Sequence, residues 1–228
     1  PYDIPNIRVE YTETDPGIPY GFWRSVGASV NGFVVEAFVD ELAATAGEDP
    51  FEFRRRRLTK HARHKAALEL VAEKAGWGTP PPVGRARGIA LMECFGSIVA
   101  QVAEVSVTDG NVRVHKVWCA VDTGWVSHPD TIKAQMEGGT IYGLSAALKN
   151  EITIQNGRVV QRHFGDYPVM RINEAPEVET YIVPSAEAPG GIGEVSTAVV
   201  GGALANAVAA ATGKRIYRLP IRADDLTH

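Results

Sequence analysis

Residues 190–212 read GGIGEVSTAVVGGALANAVAAAT, a glycine-rich loop followed by a long run of small apolar residues. Glycines 190, 191 and 193 allow the backbone to turn sharply and to approach a bulky ligand closely. The run from Val195 to Ala211 is rich in Ala rather than Leu or Ile, and Gly201, Gly202 and Asn206 interrupt it. This composition predicts a buried helix behind the loop rather than a membrane span.

Upstream of the loop, the sequence patterns are mainly those of antiparallel strands. Residues 99–107 and 112–121 alternate around the turn signal Asp109-Gly110, and Asn156-Gly157 marks a second hairpin between 151–154 and 158–160. Helical spacing covers Ile132 to Leu148, and a last strand is predicted near Glu179 to Val183. Because helices and hairpins mix without a regular strand–helix alternation, the expected fold class is α+β.

The N-terminal part, residues 1–78, is predicted to be mainly helical. A linker at 79–87, which contains Thr79-Pro80-Pro81-Pro82, separates it from an α+β part at 88–228. Before Tyr20 a single alternating stretch, Ile7 to Tyr11, predicts one strand. Three helices are expected from apolar spacing and from the Asp49-Pro50 capping signal: one through Phe33 and Leu42 to about Gly47, one from Pro50 to Leu58, and one from Lys65 to Ala75.

The composition is that of a globular protein with one domain or two small ones. The 228 residues are 45% hydrophobic and carry a net charge of −4, so no whole-chain field would attract nucleic acid or an anionic membrane. Cys94 and Cys119 lack metal or redox spacing and are expected to be packed as small apolar residues. Because the chain starts at Pro1, without an initiator Met or a signal peptide, we expect a piece of a longer polypeptide. Its compartment, cytoplasmic or periplasmic, cannot be read from the sequence.

Two other clusters have ordinary interpretations. The densest basic run, Arg54 to Arg57, lies on a predicted helix on which its side chains point in different directions, and Glu52 can pair with Arg56. A solvated or subunit-facing surface is therefore predicted rather than a nucleic-acid site. His61 and His64 are the most closely spaced histidines, but no carboxylate or cysteine pattern completes a metal site around them, and most histidines are expected at the surface.

Glu194 has two interpretations from its local sequence. A carboxylate near the first turn of a helix is a common stabilising choice. Held between the positive helix end, which favours the ion, and a dry cavity, which disfavours it, the same carboxylate would act as a general base near neutral pH. A dinucleotide-binding loop does not fit, because the GxGxxG spacing is absent.

Four ordered stretches distinguish between these interpretations. They are Gly21-Phe22-Trp23-Arg24-Ser25-Val26-Gly27 with Phe33-Val34-Val35-Glu36; Asp49-Pro50-Phe51-Glu52-Phe53-Arg54; Asp122-Thr123-Gly124 through Pro129 to Gln135-Met136-Glu137-Gly138-Gly139; and Gly191-Ile192-Gly193-Glu194 with Thr212-Gly213-Lys214-Arg215. Together these stretches resemble the molybdopterin-binding large subunit of the xanthine dehydrogenase and aldehyde oxidase family, and most of all its isoquinoline 1-oxidoreductase β-subunit branch. The resemblance extends from about Gly21 to Ile221.

The resemblance implies a role for each matching residue. Glu194 corresponds to the catalytic general base, which takes a proton from the hydroxyl that attacks the substrate carbon, with water as the oxygen source. Arg24 corresponds to the arginine of a loop beside the molybdenum. The cofactor-binding set implied is Trp23, Arg24, Ser25, Val26, Gln135, which would hydrogen-bond the pterin, Gly191 and Gly193, which would lie against the metal centre. No side chain of this chain is expected to ligate the metal directly.

The family also implies a cofactor and partners. The cofactor would be molybdenum–molybdopterin, with or without the cytosine dinucleotide extension, and iron–sulfur clusters would lie on a small [2Fe–2S] partner subunit. The family's Gly-Gln-Gly loop is not found here, so the remainder of the large subunit is expected to complete the site. The substrate would be a small molecule, an N-heteroaromatic ring or an aldehyde. No nucleic acid and no membrane span is expected.

This sequence departs from the family pattern at three positions. His128 stands where the family usually has Asn before Pro129, His163 where an Asn precedes the Phe-x-x-Tyr stretch, and Val195 where many members have Pro. None of these removes a group that the mechanism requires, although Val195 could alter the tilt of Glu194.

Two alternatives remain open at this stage. The chain could be a catalytically silent isolated domain that binds no cofactor by itself. It could also be a non-enzymatic assembly module that docks partner subunits through the helices at 50–75. A large distance between Arg24 and Glu194 would favour the assembly module.

Overall fold

The computed structural model of the protein describes residues 1–227, and its centre is a four-stranded sheet with helices on both faces. This arrangement confirms the predicted α+β class. The helices are α1 (Gly27–Thr45), α2 (Pro50–Arg56), α3 (Ala62–Lys74), α4 (Pro129–Leu148), α5 (Val195–Thr212) and α6 (Asp224–Thr227), with a 3₁₀ turn at Phe164–Asp166; the strands are β1 (Ala86–Cys94), β2 (Ser97–Thr108), β3 (Asn111–Asp122), β4 (Ile154–Gln155), β5 (Arg158–Val159) and β6 (Glu177–Ile182).

The main sheet has the order β1-β2-β3-β6. The first three strands are antiparallel, whereas β6 lies parallel to β3. Asp109 and Gly110 both have positive φ, 51° and 74°, as a two-residue hairpin turn between twisted strands requires, and this confirms the first predicted hairpin. The second hairpin forms as the short pair β4 and β5 around Asn156-Gly157.

One strand of the sheet and one predicted strand differ from expectation. Strand β1 has no separate alternating signal, because its central residues 88–91 are buried in succession. The strand predicted at Ile7 to Tyr11 does not form within the described chain, where this segment has no strand partner. The three N-terminal helices lie where predicted, within a few residues at their ends.

Helices cover the two faces of the sheet unequally. On one face, α5 packs against β1 and β2, and α1 and α4 flank it. On the other face, α3 packs against β2 and β3, with side chains of α2 joining the same core. Helix α5 alone is long and apolar enough, among the described residues, to meet the length and composition of a membrane span, but 83% of it is buried within this chain. It is the central helix of the core, as its Ala-rich sequence predicts.

Close backbone packing explains the small residues around α5. A methyl group on Gly32 of α1 would lie 2.0 Å from the Ala198 carbonyl oxygen, and one on Gly88 of β1 would lie 2.0 Å from the Ala207 nitrogen. Both distances are far below van der Waals contact. The atoms that a methyl group would meet belong to the backbone of α5, which cannot move aside as a flexible side chain could. The lack of a side chain at Gly32 and Gly88 therefore allows α5 to lie this close to α1 and β1.

A buried polar network connects α1, α2 and β1 beneath this contact. The carboxylate of Glu36, 1% exposed, accepts hydrogen bonds from Arg54 Nε at 2.9 Å, from the Leu91 backbone N–H at 2.9 Å and from the Tyr2 hydroxyl at 2.8 Å. Asn206 of α5 donates to the carbonyl oxygens of Glu36 and Ile89. Burial next to this carboxylate raises the pKa of the Tyr2 hydroxyl well above its ordinary value. The carboxylate of Glu36, the guanidinium of Arg54 and the amide of Asn206 thus each have partners within this network, which is what burial requires.

The four arginines at 54–57 do not form one continuous basic surface. Arg54 is fully buried in this network, which corrects the prediction of a solvated or subunit-facing run at that position. The predicted Glu52–Arg56 side-chain pair is also wrong: Glu52 pairs with Arg55 at 2.8 Å, whereas Arg56 pairs with Glu48. Glu48 lies just before the first residue of this helix, Pro50, and its carboxylate is within reach of the Arg56 guanidinium.

His64 differs from the expected surface histidines. It is 5% exposed, and its Nε2 lies 2.9 Å from Glu93 Oε2. Burial lowers the pKa of the imidazole, and the neighbouring carboxylate opposes that shift only in part. Among the described residues, no three His, Cys, Asp or Glu side chains form a group that could hold a metal ion.

Replacing Gly32 with Ala should destabilise the fold, because the new methyl group would push α1 away from α5. Overpacking of this kind costs about 1–3 kcal/mol or more. The control is Gly138→Ala on α4, where a methyl group would meet nothing within 4 Å. Because Ala is the better helix former by up to ~1 kcal/mol, the control should be neutral or stabilising. Thermal unfolding measures both, and equal melting temperatures would contradict the packing account.

Replacing Arg54 with Met should be far more costly than replacing Arg56 with Met. The first change leaves Glu36 buried without its cation, a loss of about 3–5 kcal/mol. The second removes an exposed ion pair that contributes ~1 kcal/mol at most. Denaturant unfolding of the two variants provides the test. A similar stability for both would show that the buried network contributes little.

Candidate active site

Arg24 brings together residues that are far apart in sequence. Its Nε and Nη2 donate to the Gly193 carbonyl oxygen at 3.0 and 2.5 Å, and Nη2 also donates to Gln135 Oε1 at 3.0 Å. One guanidinium therefore joins the loop before α1, the glycine loop and α4. The large separation of Arg24 and Glu194 that would favour an assembly module is not observed.

Glu194 is the N-cap residue of α5, but its side chain does not cap that helix. Its Oε2 accepts the backbone N–H of Ser25 at 2.8 Å, and its backbone oxygen accepts the Ser25 hydroxyl at 2.5 Å. Within the described chain Oε1 has no hydrogen-bond partner. The side chain therefore makes no capping hydrogen bond to its own helix and binds a loop 169 residues away, although the carboxylate still lies at the N-terminal end of α5.

The loop that holds Glu194 has a strained backbone. Ser25 and Val26 have φ values of 75° and 51°, in the left-handed region that favours glycine, and a β-branched residue such as Val is an outlier there. Ser25 is fully buried, and the Val26 N–H is satisfied by the Trp23 carbonyl at 2.7 Å. Strain of this kind costs on the order of 1–3 kcal/mol per residue, persists only where surrounding contacts enforce it, and clusters at functional sites.

Trp23 extends the loop over α4. Its ring lies 5.1 Å from the ring of Tyr142, and the Arg24 guanidinium lies 5.5 Å from the same tyrosine. Tyr142 was not among the residues predicted from the sequence. It lies seven positions after Gln135, so these two residues share one face of a helix, and helical spacing was the one signal that could have indicated it.

Two turns, the one after β3 and the one between β1 and β2, hold the glycine loop in place. The Gly190 N–H donates to the Thr123 carbonyl at 2.8 Å, and the Gly191 N–H donates to the Phe95 carbonyl at 2.7 Å. A methyl group on Gly190 would lie 2.5 Å from Ser97 Oγ, so the glycine permits this close approach. Phe95, at the exposed tip of the β1–β2 hairpin, was missed by sequence reasoning because the hairpin itself gave no turn signal that we recognised.

A salt bridge from the opposite face of the sheet supports this arrangement. Arg63 of α3 donates through Nε and Nη2 to both oxygens of the buried Asp122, each at 2.8 Å. Asp122 also accepts the Gly124 N–H. These hydrogen bonds keep the pKa of Asp122 below its usual value despite burial, and the charged pair fixes the turn that carries Thr123.

The departures from the family pattern have local roles. His128 Nδ1 accepts the Thr131 N–H at 3.2 Å and so caps α4 in the place of an Asn. His163 caps the 3₁₀ turn by accepting the Gly165 N–H. Val195 is fully buried in the core, behind Glu194. Two of the three departures therefore preserve a capping acceptor.

Both cysteines are protonated thiols at neutral pH. Burial raises the pKa of Cys119 to about 12 and that of Cys94 to about 11, where the negative charges of Glu194 and Glu93 add to the effect. Cys119 lies in the hydrophobic core and Cys94 packs against it, as predicted.

One side of the site faces open space. A methyl group on Gly193 would meet no atom within 4 Å, although its carbonyl is held by Arg24. On the same cluster, Gln135 Nε2 and Glu194 Oε1 have no partner within the described residues. A glycine that no intrachain contact requires, beside two polar atoms without partners, is the arrangement expected where a large polar ligand approaches the backbone.

Comparison with known proteins agrees with this geometry. Residues 23–176 match the family model described as a molybdopterin cofactor-binding domain. The chain is 34% identical to the isoquinoline 1-oxidoreductase subunit beta of Brevundimonas diminuta, over 97% of this chain and 29% of that protein. It is 36% identical to a membrane-bound aldehyde dehydrogenase (pyrroloquinoline-quinone) of Gluconacetobacter polyoxogenes, over 90% of this chain and 29% of that protein.

The fold also has a counterpart among solved structures. Quinoline 2-oxidoreductase from Pseudomonas putida 86 superposes with a TM-score of 0.81 at 11% identity, over 91% of this chain and 52% of that chain. At this identity the match concerns the fold alone. The chain spans 29% of the length of the two curated relatives above. The family model and these relatives together show that the chain belongs to the molybdopterin cofactor-binding domain family, in the xanthine dehydrogenase and aldehyde oxidase group that its motifs predict.

Proposed function

We propose that this chain is the part of a molybdenum hydroxylase large subunit that carries the catalytic base, and that the enzyme hydroxylates a carbon of an N-heteroaromatic ring or oxidises an aldehyde. One observation carries the proposal: the Glu194 carboxylate is held by the Ser25 N–H on a strained loop, and its second oxygen is left free. The two substrate classes follow the names of the relatives, an isoquinoline oxidoreductase and an aldehyde dehydrogenase.

The residues on the open side fit a molybdopterin cofactor. A pterin presents many donors and acceptors, and Gln135 Nε2 and the bare backbone at Gly193 offer complementary groups. Gly191 and Gly193 allow close approach, while Arg24 keeps the Gly193 carbonyl and Gln135 in fixed positions. When bound, the cofactor would supply the metal and the redox chemistry. The metal would be held by the pterin, since the described residues offer no ligand group of their own.

Glu194 has the geometry of a general base. With Oε2 fixed by the Ser25 N–H, Oε1 can accept the proton of a water-derived oxygen nucleophile while the carboxylate keeps its orientation. The buried Val195 and the Arg24 contact on Gly193 hold the residues on either side of Glu194. Water would thus be the source of the oxygen added to the substrate, and Trp23 and Val26 would border the space in which the substrate lies.

The proposal extends to parts outside this chain. The remainder of the large subunit would close the open side of the site, and a small [2Fe–2S] subunit would take the electrons. The cofactor would occur with or without its cytosine dinucleotide extension. The alternative of a catalytically silent isolated domain predicts instead that this chain binds no cofactor by itself. Elemental analysis for molybdenum, on this chain alone and together with the remainder of the large subunit, distinguishes the two.

Replacing Glu194 with Gln in the assembled enzyme should abolish most turnover and leave the molybdenum content unchanged. The amide preserves the size and the Ser25 contact but cannot accept a proton, and general-base catalysis contributes about 10²–10⁴-fold to rate. The control is Glu187→Gln, an exposed carboxylate seven residues earlier. Steady-state turnover and metal analysis are measured together. Full activity in the Glu194 variant would overturn its role as the base.

Replacing Gln135 with Leu should act on binding rather than on proton transfer. The change removes the amide offered to the cofactor and one acceptor of Arg24, so we expect a lower molybdenum content per subunit. Turnover per bound molybdenum should fall less than in Glu194→Gln. The control is Lys133→Leu, an exposed position on the same helix. An unchanged metal content in the Gln135 variant would contradict a role in holding the cofactor.

A further inference from the structure

Residues 5–22, hereafter the arm, are held at both ends but contact little else. At the start, Asp3 binds Thr59 and the Arg57 carbonyl, and Tyr2 is buried against Glu36. At the end, Arg24 is fixed in the active-site cluster. Between these anchors every residue is exposed, and no hydrogen bond joins the arm to the rest of the described chain. A loop of this length can reach on the order of 30 Å from its anchors.

Part of the arm has the pattern of a strand with one apolar face. Ile7, Val9 and Tyr11 are 65%, 86% and 86% exposed. Arg8 and Glu10, between them, hydrogen-bond each other. Side chains two residues apart lie on the same face when the chain is extended. The side chains of Ile7, Val9 and Tyr11 therefore lie on the face opposite to Arg8 and Glu10. Large apolar residues that are exposed in a row mark an interaction surface rather than a solvated loop.

From this pattern we infer that residues 7–11 add as a strand to the edge of a sheet in the remainder of the large subunit, with Ile7, Val9 and Tyr11 packed on that sheet's apolar face. Strand addition pairs the backbone groups that face the partner strand and also buries the apolar row. Docking through side chains alone would bury the apolar row but leave those backbone groups unpaired. The inference rests on the proposed function, because that proposal supplies a large subunit with a remainder.

The location and length of the missing part favour this partner. A relative aligned with 97% of this chain is more than three times as long, since the match covers 29% of it. The arm runs directly into Trp23 and Arg24, at the open side that the remainder has to close. A second copy is a poorer partner, because two arms paired with each other would form an isolated two-stranded ribbon, which is marginally stable at best in water.

Hydrogen exchange of the assembled enzyme tests the inference. The alternate amides of residues 7–11 that face the neighbouring strand should exchange at least ~10-fold more slowly than the Thr14 and Asp15 amides of the arm, because only the former would be hydrogen-bonded to that strand. Equal, rapid exchange in both segments would overturn it. Protection that disappears on tenfold dilution would also overturn it, by showing that a second copy is the partner.

Matched substitutions test the orientation of the strand. Val9→Asp puts a charge in the apolar row and should restore rapid exchange in residues 7–11. Arg8→Asp makes the same change in the outward row and should leave the protection intact. Identical effects of the two variants would contradict the packing of one face. Neither readout requires turnover or bound molybdenum, so an enzyme that lacks the metal but protects the arm would refute the proposed function while supporting the strand.

Discussion

The packing of α5 through its backbone is the constraint on which the rest of the structure depends. Gly32 on one side and Gly88 on another allow this helix to approach α1 and β1 far more closely than any side chain would permit. A helix fixed in this way has its first residue fixed as well, and that residue follows Glu194. The Ala-rich sequence that meets the composition of a membrane span therefore places a carboxylate at a fixed point beside a buried core, since closely packed small side chains leave little freedom to slide.

Much of the fold could be predicted because its signals are local. The Asp109-Gly110 and Asn156-Gly157 turns, the Asp49 cap and the helical spacing of α4 each depend on a few adjacent residues. The signals failed where burial or tertiary contact decides the outcome. Strand β1 has no alternation because both of its faces are covered, and Arg54 is buried because Glu36, eighteen positions earlier, requires a cation. No local pattern distinguishes Arg54 from the three arginines that follow it.

The sequence predicted a set of candidate residues but not their geometry. Arg24, Gln135 and Gly193, which the motifs placed in one set, lie within hydrogen-bonding distance in the structure, and their role in holding a cofactor stays a prediction. The contact between Glu194 and the Ser25 N–H was not predictable, because it depends on positive φ at two residues that are not glycines. Local reasoning therefore favoured a helix-capping carboxylate. The local sequence around Glu194 would be the same whether its side chain capped the helix or bound a distant loop.

The strain at Ser25 and Val26 has a consequence for how the site is assembled. A loop held in an unfavourable conformation needs contacts that exceed the cost, and here these are the bonds to Glu194 and to the buried interior. The same bonds orient the carboxylate, so the loop and Glu194 stabilise each other without any ligand. A ligand that approached the open side at Gly193 would not have to rearrange Glu194. Folding alone therefore orients this carboxylate, and binding does not have to supply that ordering.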